Sequence, residues 1–441
     1  MSSKPLVIKK RVNSFNKTIN VSGDKSLSIR WILFSSLANG TSKAKNLLIS
    51  QDILASIKAI KKLGIKVNFK KSICEIKGNG INGYNYRKNL TINAQNSGTL
   101  GRLILGILIN TPYPIRLIGD ESLSKRDFKR ITDPLSKFGA KFKLTNKKNL
   151  PLTIFGSDKL RPFLYKENKG SAQCKSAVMF GAMRARGVTI IQAKKSRNHT
   201  ELLSKYLKLP VEIKNKKNYD LIKVNKINNI KPINYEIPSD ISSSAFFIVL
   251  TVLSKNSKLI IKNVNINPSR TGIITILKMM GVKISFKNIK TYKGEKKADI
   301  QIINTKNLKS INCPPKLNSG AIDEFLLIFL VAAKAKGVSY FSNLGELNEK
   351  ESPRLKWGAK ILEKIGIKTI LTENSIKIFG NPDLKIDRKI IIKDYLKDHR
   401  VFMTSVIAAL SFDGNSIWKI YDKDSIKTSF PEFLNIVKKF T

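Results

Sequence analysis

The stretch IKAIKKLGIKVNF, residues 57–69, decides the fold. Its apolar residues follow the i, i+3, i+4 and i+7 spacing of an amphipathic helix, Gly64 supplies a C-terminal stop, and the β-branched run beyond it predicts a strand. The same order returns as ITDPLSKFGAKFKL (131–144), LLSKYLKLPVEI (202–213), ITILKMMGVKISF (274–286) and AKILEKIGIKTIL (359–371), and FLNIVKKF (433–440) closes the chain. The copies recur roughly every 70 to 85 residues, the mark of an internal repeat. Gly40, Gly187, Gly337 and Gly414 precede further strands, TSKAKNLL, VTIIQA, VSYFSNL and NSIWKIY. Six βα-rich units of this size predict an α/β protein divided into two domains of three units. A solenoid is disfavoured, because the units' motifs differ and no capping repeats are evident.

Composition bounds the function classes. The 441 residues carry 81 Lys plus Arg against 31 Asp plus Glu, a formal charge of +50, and are 42% hydrophobic. Such a charge first suggests a nucleic-acid binder. Only 15 of the cations are Arg, however, and the 66 lysines are spread through the chain without a dense block. Nucleic-acid modules cluster their charge and interleave aromatics, which make up only 8% here. Diffuse lysine reads as surface composition, so no nucleic-acid partner is expected. Three widely spaced cysteines (Cys74, Cys174, Cys313) exclude a disulfide framework, and two histidines argue against a His-rich metal centre. The apolar runs, such as Phe325–Ala333, fall well short of the ~20 residues of a membrane helix. The opening MSSKPLVIKKRVNSF lacks an apolar signal core, so a cytoplasmic protein without a membrane partner is expected.

Chemistry gathers where helices begin. Gly23-Asp24-Lys25-Ser26-Leu27-Ser28-Ile29-Arg30 opens one helix, with Lys25 where free N–H groups favour an anion. It is not a Walker loop, since Asp24 stands before Lys. Asn96-Ser97-Gly98-Thr99-Leu100-Gly101-Arg102 opens another, with Gly98 allowing close approach to the backbone. Ser171-Ala172-Gln173-Cys174-Lys175-Ser176 and Ser196-Arg197-Asn198-His199-Thr200-Glu201 supply hydroxyl, amide and guanidinium groups suited to a phosphate or polyol. Asp323-Glu324, Lys350-Glu351-Ser352-Pro353-Arg354 and Asp398-His399-Arg400 bring carboxylates to helix starts in the second half. Each taken alone reads as a capped helix or a surface ion pair. Together they do not, because seven of the 15 arginines (Arg30, Arg102, Arg126, Arg197, Arg270, Arg354, Arg400) fall in such segments. Helix N-termini converging from two domains predict a positive cleft for small polyanions, with its few acids as acid/base candidates.

In order along the chain, GDKSLSIR (23–30), NSGTLGR (96–102), GDESLSKR (119–126), SAQCKSA (171–177), SRNHTE (196–201), SDISSSAFF (239–247), NPSRTG (267–272), IDE (322–324), KESPR (350–354), DHR (398–400) and TSFPEF (428–433) resemble the 5-enolpyruvylshikimate-3-phosphate synthase family. SRNHTE and TSFPEF look closest to its bacterial class II branch. The resemblance implies a two-domain enolpyruvyl transferase-like fold, each domain an inside-out α/β barrel of three βα units. Residues 20–238 would form the shikimate 3-phosphate side, and residues 1–19 with 239–441 the phosphoenolpyruvate and carboxylate side. Hinges would lie near Thr18–Val21 and Ile237–Ser239.

The resemblance implies transfer of the enolpyruvyl group of phosphoenolpyruvate to the 5-hydroxyl of shikimate 3-phosphate through a tetrahedral intermediate. Lys25, Ser26, Arg30, Ser171, Ala172, Gln173, Arg197, Asp323 and Lys350 would hold shikimate 3-phosphate. Lys25, Asn96, Gly98, Arg126, Gln173, Arg354 and Arg400 would meet phosphoenolpyruvate. Glu351 is the candidate proton donor and Asp323 the candidate base, with Lys25 or His399 assisting phosphate departure. No metal or organic cofactor is implied, and the expected partners are the two small substrates of a monomer. Departures from the family pattern include Ser22, Gln95, Asp127, Asn348 and Pro353. The rival UDP-N-acetylglucosamine enolpyruvyl transferases use a loop cysteine and an Asn after the N-terminal Lys. This chain has Ser26 there and no cysteine in GDESLSKR.

Overall fold

A computed structural model describes residues 4–70 and 73–441. Besides the short helices Glu121–Ser124 and Asn318–Ala321, each repeat contributes two principal helices. They are α1 (Lys25–Leu37) and α2 (Gln51–Lys62), α3 (Gly98–Ile107) and α4 (Lys129–Ser136), α5 (Ala172–Ala182) and α6 (His199–Tyr206). The second half supplies α7 (Ile241–Leu253) and α8 (Gly272–Met279), α9 (Phe325–Ala333) and α10 (Arg354–Lys364), α11 (His399–Ser411) and α12 (Phe433–Val437). The first helix of a repeat is buried nearly all round. Every residue of α9 is buried, as is every residue of α7 from Ile241 to Val252. The second helices show one apolar face, as the periodicity predicts: α2 buries Ile53, Ile57 and Ile60 and exposes its lysines.

The sheet topology repeats with the helices. Strand Leu90–Asn93 runs parallel to Ile115–Ile118 across α3, and Ile115–Ile118 pairs antiparallel with Asn149–Phe155, whose other neighbour is Lys141–Thr145. Among the described residues five sheets have four strands and one has three. Two repeats borrow their first strand from far along the chain. Asn16–Ile19 pairs parallel with Lys258–Asn265, and Tyr235–Glu236 pairs parallel with Asn39–Lys45. In the last repeat Leu6–Ile8 takes the antiparallel place beside Ile417–Ile420.

The expected glycine stops adopt left-handed backbone, with φ of +85° at Gly64, +116° at Gly139, +89° at Gly281 and +89° at Gly366. In the third copy the stop is Lys208, φ 53°, two residues before the Pro210 to which the sequence pointed. The backbone N–H of Leu209 then donates to Ser204 at 3.0 Å and closes the helix end. Here a lysine takes up a left-handed backbone that glycine would adopt without strain.

By contacts the chain divides into two compact units. The C-terminal unit comprises the chain up to Ser22, Pro238–Thr291 and Lys296–Thr441; the N-terminal unit comprises Gly23–Ile237 and the short turn Tyr292–Glu295. Each has its own apolar core. The turn 292–295 is an excursion that the sequence pattern did not signal. There the Glu236 N–H donates to the Tyr292 hydroxyl at 3.0 Å, and the Tyr235 and Tyr292 rings meet edge-on.

Candidate active site

In the N-terminal unit, helix starts bring together most of the residues singled out in its sequence. Asp24 caps α1, accepting from the Leu27 N–H at 2.9 Å, and so fixes where Lys25 and Ser26 emerge. The Lys25 ammonium donates to Asp52 at 3.0 Å, a buried carboxylate in the first turn of α2. Arg30 is 3% exposed and lies deeper than a surface anion receptor would. It donates to the Thr200 hydroxyl at 2.8 Å, the Ser176 hydroxyl at 3.1 Å and the Ser26 carbonyl at 3.1 Å, so it ties α1, α5 and α6 together.

Ser97 caps α3, and a Cβ on Gly98 would lie 3.0 Å from an Arg126 guanidinium nitrogen and 3.7 Å from one of Arg102. Gly98 therefore keeps a path open beside two arginines. Arg102 donates to the Gln173 side-chain oxygen Oε1, and the Gln173 side-chain amide donates to the Thr99 hydroxyl at 3.1 Å, which links the starts of α3 and α5. Asn96 donates to Asp120 at 2.7 Å. Ser171 caps α5, with Ala172 its first residue, and Arg197 stands in the bend before α6.

In the C-terminal unit the arrangement centres on Arg354, the first residue of α10 and 2% exposed. It donates to both oxygens of Asp398, at 2.9 and 3.3 Å, to Asp323 at 3.2 Å and to Glu351. Arg400 donates to the Asp323 carbonyl at 2.7 Å, and its guanidinium lies 3.6 Å from Glu324 and 3.9 Å from the Asp323 carboxylate. Behind these, Arg270 donates to Ser242 at 2.7 Å and to Asp240 at 3.3 Å. The imidazole Nδ1 of His399 lies 3.3 Å from the Thr428 hydroxyl. Lys350 is half-buried, one residue before Glu351. Pro353 occupies the cap of α10, so Lys350 and Glu351 precede the helix.

Electrostatics follow from this crowding. Burial alone would raise Asp398, but the Arg354 guanidinium outweighs it and holds the carboxyl below the usual range. Burial likewise works against charge on Arg354, and Asp398, Glu351 and Asp323 together push it well above the ordinary arginine value. Glu167 shifts the other way: burial raises it against the backbone N–H groups of Ser171, Lys169 and Gly170. Those N–H groups bend the loop that delivers Ser171. The three cysteines are buried thiols, with Cys74 pushed up to about 12 and Cys313 to about 11 by burial. Among the described residues no group of three or more His, Cys, Asp or Glu is placed to hold a metal ion. No helix among them is long and apolar enough to cross a membrane.

The sequence signalled Asp323, Glu351, Arg354 and Arg400 separately, and the fold brings them together. It missed Asp398 as the main partner of Arg354, Asp52 as that of Lys25, and Glu167. Asp398 was visible as a cap before His399-Arg400, and it also accepts from the Arg400 N–H at 2.9 Å. Neither Asp52 nor Glu167 carries a local signal beyond its charge.

Comparison with known proteins agrees over nearly the whole chain. The family described as EPSP synthase (3-phosphoshikimate 1-carboxyvinyltransferase) matches residues 9–437. The 3-phosphoshikimate 1-carboxyvinyltransferase of Caldicellulosiruptor bescii is 37% identical over 424 residues, 96% of each chain. That of Ruthia magnifica is 39% identical over 432 residues, covering 98% of this chain and 96% of the relative. The EPSP synthase structure from Acinetobacter baumannii superposes with a TM-score of 0.86 at 32% identity, over 99% of this chain and 98% of that one. The enolpyruvyl transferase NikO from Streptomyces tendae matches with a TM-score of 0.77 at 14% identity, over 99% and 97%, a likeness of fold alone.

Proposed function

The chain belongs to the EPSP synthase family, and on that premise we propose how its residues divide the work. It is an enolpyruvyl transferase of the shikimate pathway, moving the enolpyruvyl group of phosphoenolpyruvate to shikimate 3-phosphate. In our assignment Lys25, Ser26, Arg30, Ser171, Ala172, Gln173 and Arg197, with Asp323 and Lys350, bind shikimate 3-phosphate. Asn96, Gly98, Arg126, Gln173, Arg354 and Arg400, with Lys25, bind phosphoenolpyruvate. The network around Arg102 and Gln173 supports this, since it organises hydroxyl, amide and guanidinium donors at two helix starts.

The ring of acids about Arg354 carries the catalytic reading. Three carboxylates share one buried guanidinium. When the anionic groups of phosphoenolpyruvate engage Arg354 and Arg400, Glu351 and Asp323 lose part of their counter-charge, and their proton affinity rises. Glu351 then gives a proton to C3 of the enol while the 5-hydroxyl oxygen attacks C2 and its proton passes to Asp323. In the second step C3 returns its proton to Glu351, the C2–O bond to phosphate breaks, and the departing phosphate takes up the proton that Asp323 held, with assistance from Lys25 or His399. Rate comes from fixing two anions and matching the charge that develops between them.

We take the protein to act as a monomer. Both substrates are multiply charged and do not cross a bilayer unaided, which supports a cytoplasmic location. Purified protein should release phosphate only when phosphoenolpyruvate and shikimate 3-phosphate are both present. No enolpyruvyl product with both substrates bound would reject the assignment, and light scattering at assay concentration tests the monomer.

A further inference from the structure

Three consecutive residues at the start of α6, His199, Thr200 and Glu201, are polar and buried, at 0, 0 and 2% exposure. Together they are held by three other segments of the N-terminal unit: α1, α5 and the turn 292–295. The imidazole Nδ1 of His199 lies 2.7 Å from a carboxylate oxygen of Glu295, in the turn 292–295. The Thr200 hydroxyl accepts from Arg30 of α1 at 2.8 Å and lies 2.7 Å from the Ser176 hydroxyl of α5. The Glu201 carboxylate pairs with Lys175 of α5 at 2.5 Å, with the lysine side chain fully buried.

Consecutive helical residues point about 100° apart, so these ties grip the helix across about 200° of its circumference. Such anchoring meets a specific need. An isolated helix of eight residues is marginal, and Asn198 at the cap of α6 provides no side-chain cap hydrogen bond. Pure stabilisation is a poor account of the Lys175–Glu201 pair, because well-packed apolar residues in place of a buried ion pair are often neutral or stabilising. What an ion pair adds is direction.

We propose that His199-Thr200-Glu201 is a positioning node. It locks the bend Ser196–Asn198 in register, so that Arg197 is presented at one height and angle to the phosphate of shikimate 3-phosphate. The proposal rests on the role assigned to Arg197 above. None of the three residues need touch substrate; they act through Arg197, and Thr200 acts also through Arg30.

The test is steady-state kinetics with thermal unfolding on the full chain. The double variant Lys175→Met/Glu201→Leu keeps the volume and removes the direction. It should unfold cooperatively near the wild-type Tm, raise KM for shikimate 3-phosphate ~10-fold, equivalent to about 1.4 kcal/mol, and leave KM for phosphoenolpyruvate within about twofold. An unchanged KM for shikimate 3-phosphate at unchanged Tm overturns the node. Should the double variant fail to fold, Thr200→Val removes the ties to Arg30 and Ser176, and Glu295→Leu removes the tie to His199, each at nearly constant shape. The same split between the two KM values is expected in both, and its absence from both overturns the proposal. Wild-type phosphate release with both substrates is measured alongside. Its absence would reject the assigned reaction, whereas wild-type turnover without the split rejects the node alone.

Discussion

Two arginines of each unit meet partners of different kinds. In the N-terminal unit Arg30 donates to two hydroxyls and a carbonyl, and Arg102 to an amide oxygen. In the C-terminal unit Arg354 is ringed by Asp398, Asp323 and Glu351, and Arg400 by Asp323 and Glu324. Hydroxyl and amide partners orient a guanidinium and do not themselves cancel its charge. Carboxylate partners cancel the charge but give the site groups that can carry protons. One set is suited to holding, the other to reacting.

The largest expected effect tests that division. Glu351→Ala and Asp323→Ala should each lower kcat by ~10²–10⁴, the usual scale of general acid–base catalysis, with much smaller changes in KM. Equal losses in kcat and in substrate affinity would mean that the carboxylates only bind, and the contrast between the units would collapse.

Next comes the counter-ion. Asp398→Asn removes the main partner of a buried arginine and should cost about 3 kcal/mol in urea unfolding at neutral pH. The pH dependence has a definite sign. The folded carboxyl holds its proton less tightly than the unfolded one, so the unfolded chain binds more protons and stability rises with pH across that window. The contribution is present above the ordinary aspartate pKa of about 4 and is lost as pH falls through the lower folded value. The gap between wild type and variant should therefore close in acid; a gap that stays constant down to pH 3 would show that charge is not its source.

A smaller effect sharpens the neutral side. Gln173→Ala leaves Arg102 without its amide oxygen and should raise the substrate KM ~10-fold, as for a hydrogen bond to a charged group, with kcat less affected. A dominant kcat effect would place Gln173 among the reacting groups. The smallest effect concerns the diffuse charge. Lys214, Lys216 and Lys217 are exposed around a hairpin turn, and exchanging all three for Gln should change kcat/KM by less than about twofold at physiological salt. A larger drop would make the lysine excess functional.

Much of this was legible residue by residue. The helix starts at Lys25, Gly98, Ala172, Phe325 and His399 follow from caps and apolar runs a few residues long, and so do the left-handed glycines at the helix stops. Lys208 escaped because the residue in the left-handed stop position is not a glycine, so no residue type marks it in the sequence. Asp52 and Glu167 escaped because one acid among 31 has no local mark of being buried.

The sequence by itself determined the repeat, the helices and which chemical groups stand at their starts, because these depend on spacings of one to seven residues. Only the tertiary structure decided partners. Arg354 meets Asp398 across 44 residues, Arg30 meets Ser176 across 146, and strand Asn16–Ile19 completes a sheet with Lys258–Asn265. Such pairings are selected by which surfaces can be buried together and which buried charges must then be neutralised, a condition on the whole packed unit that no short window contains.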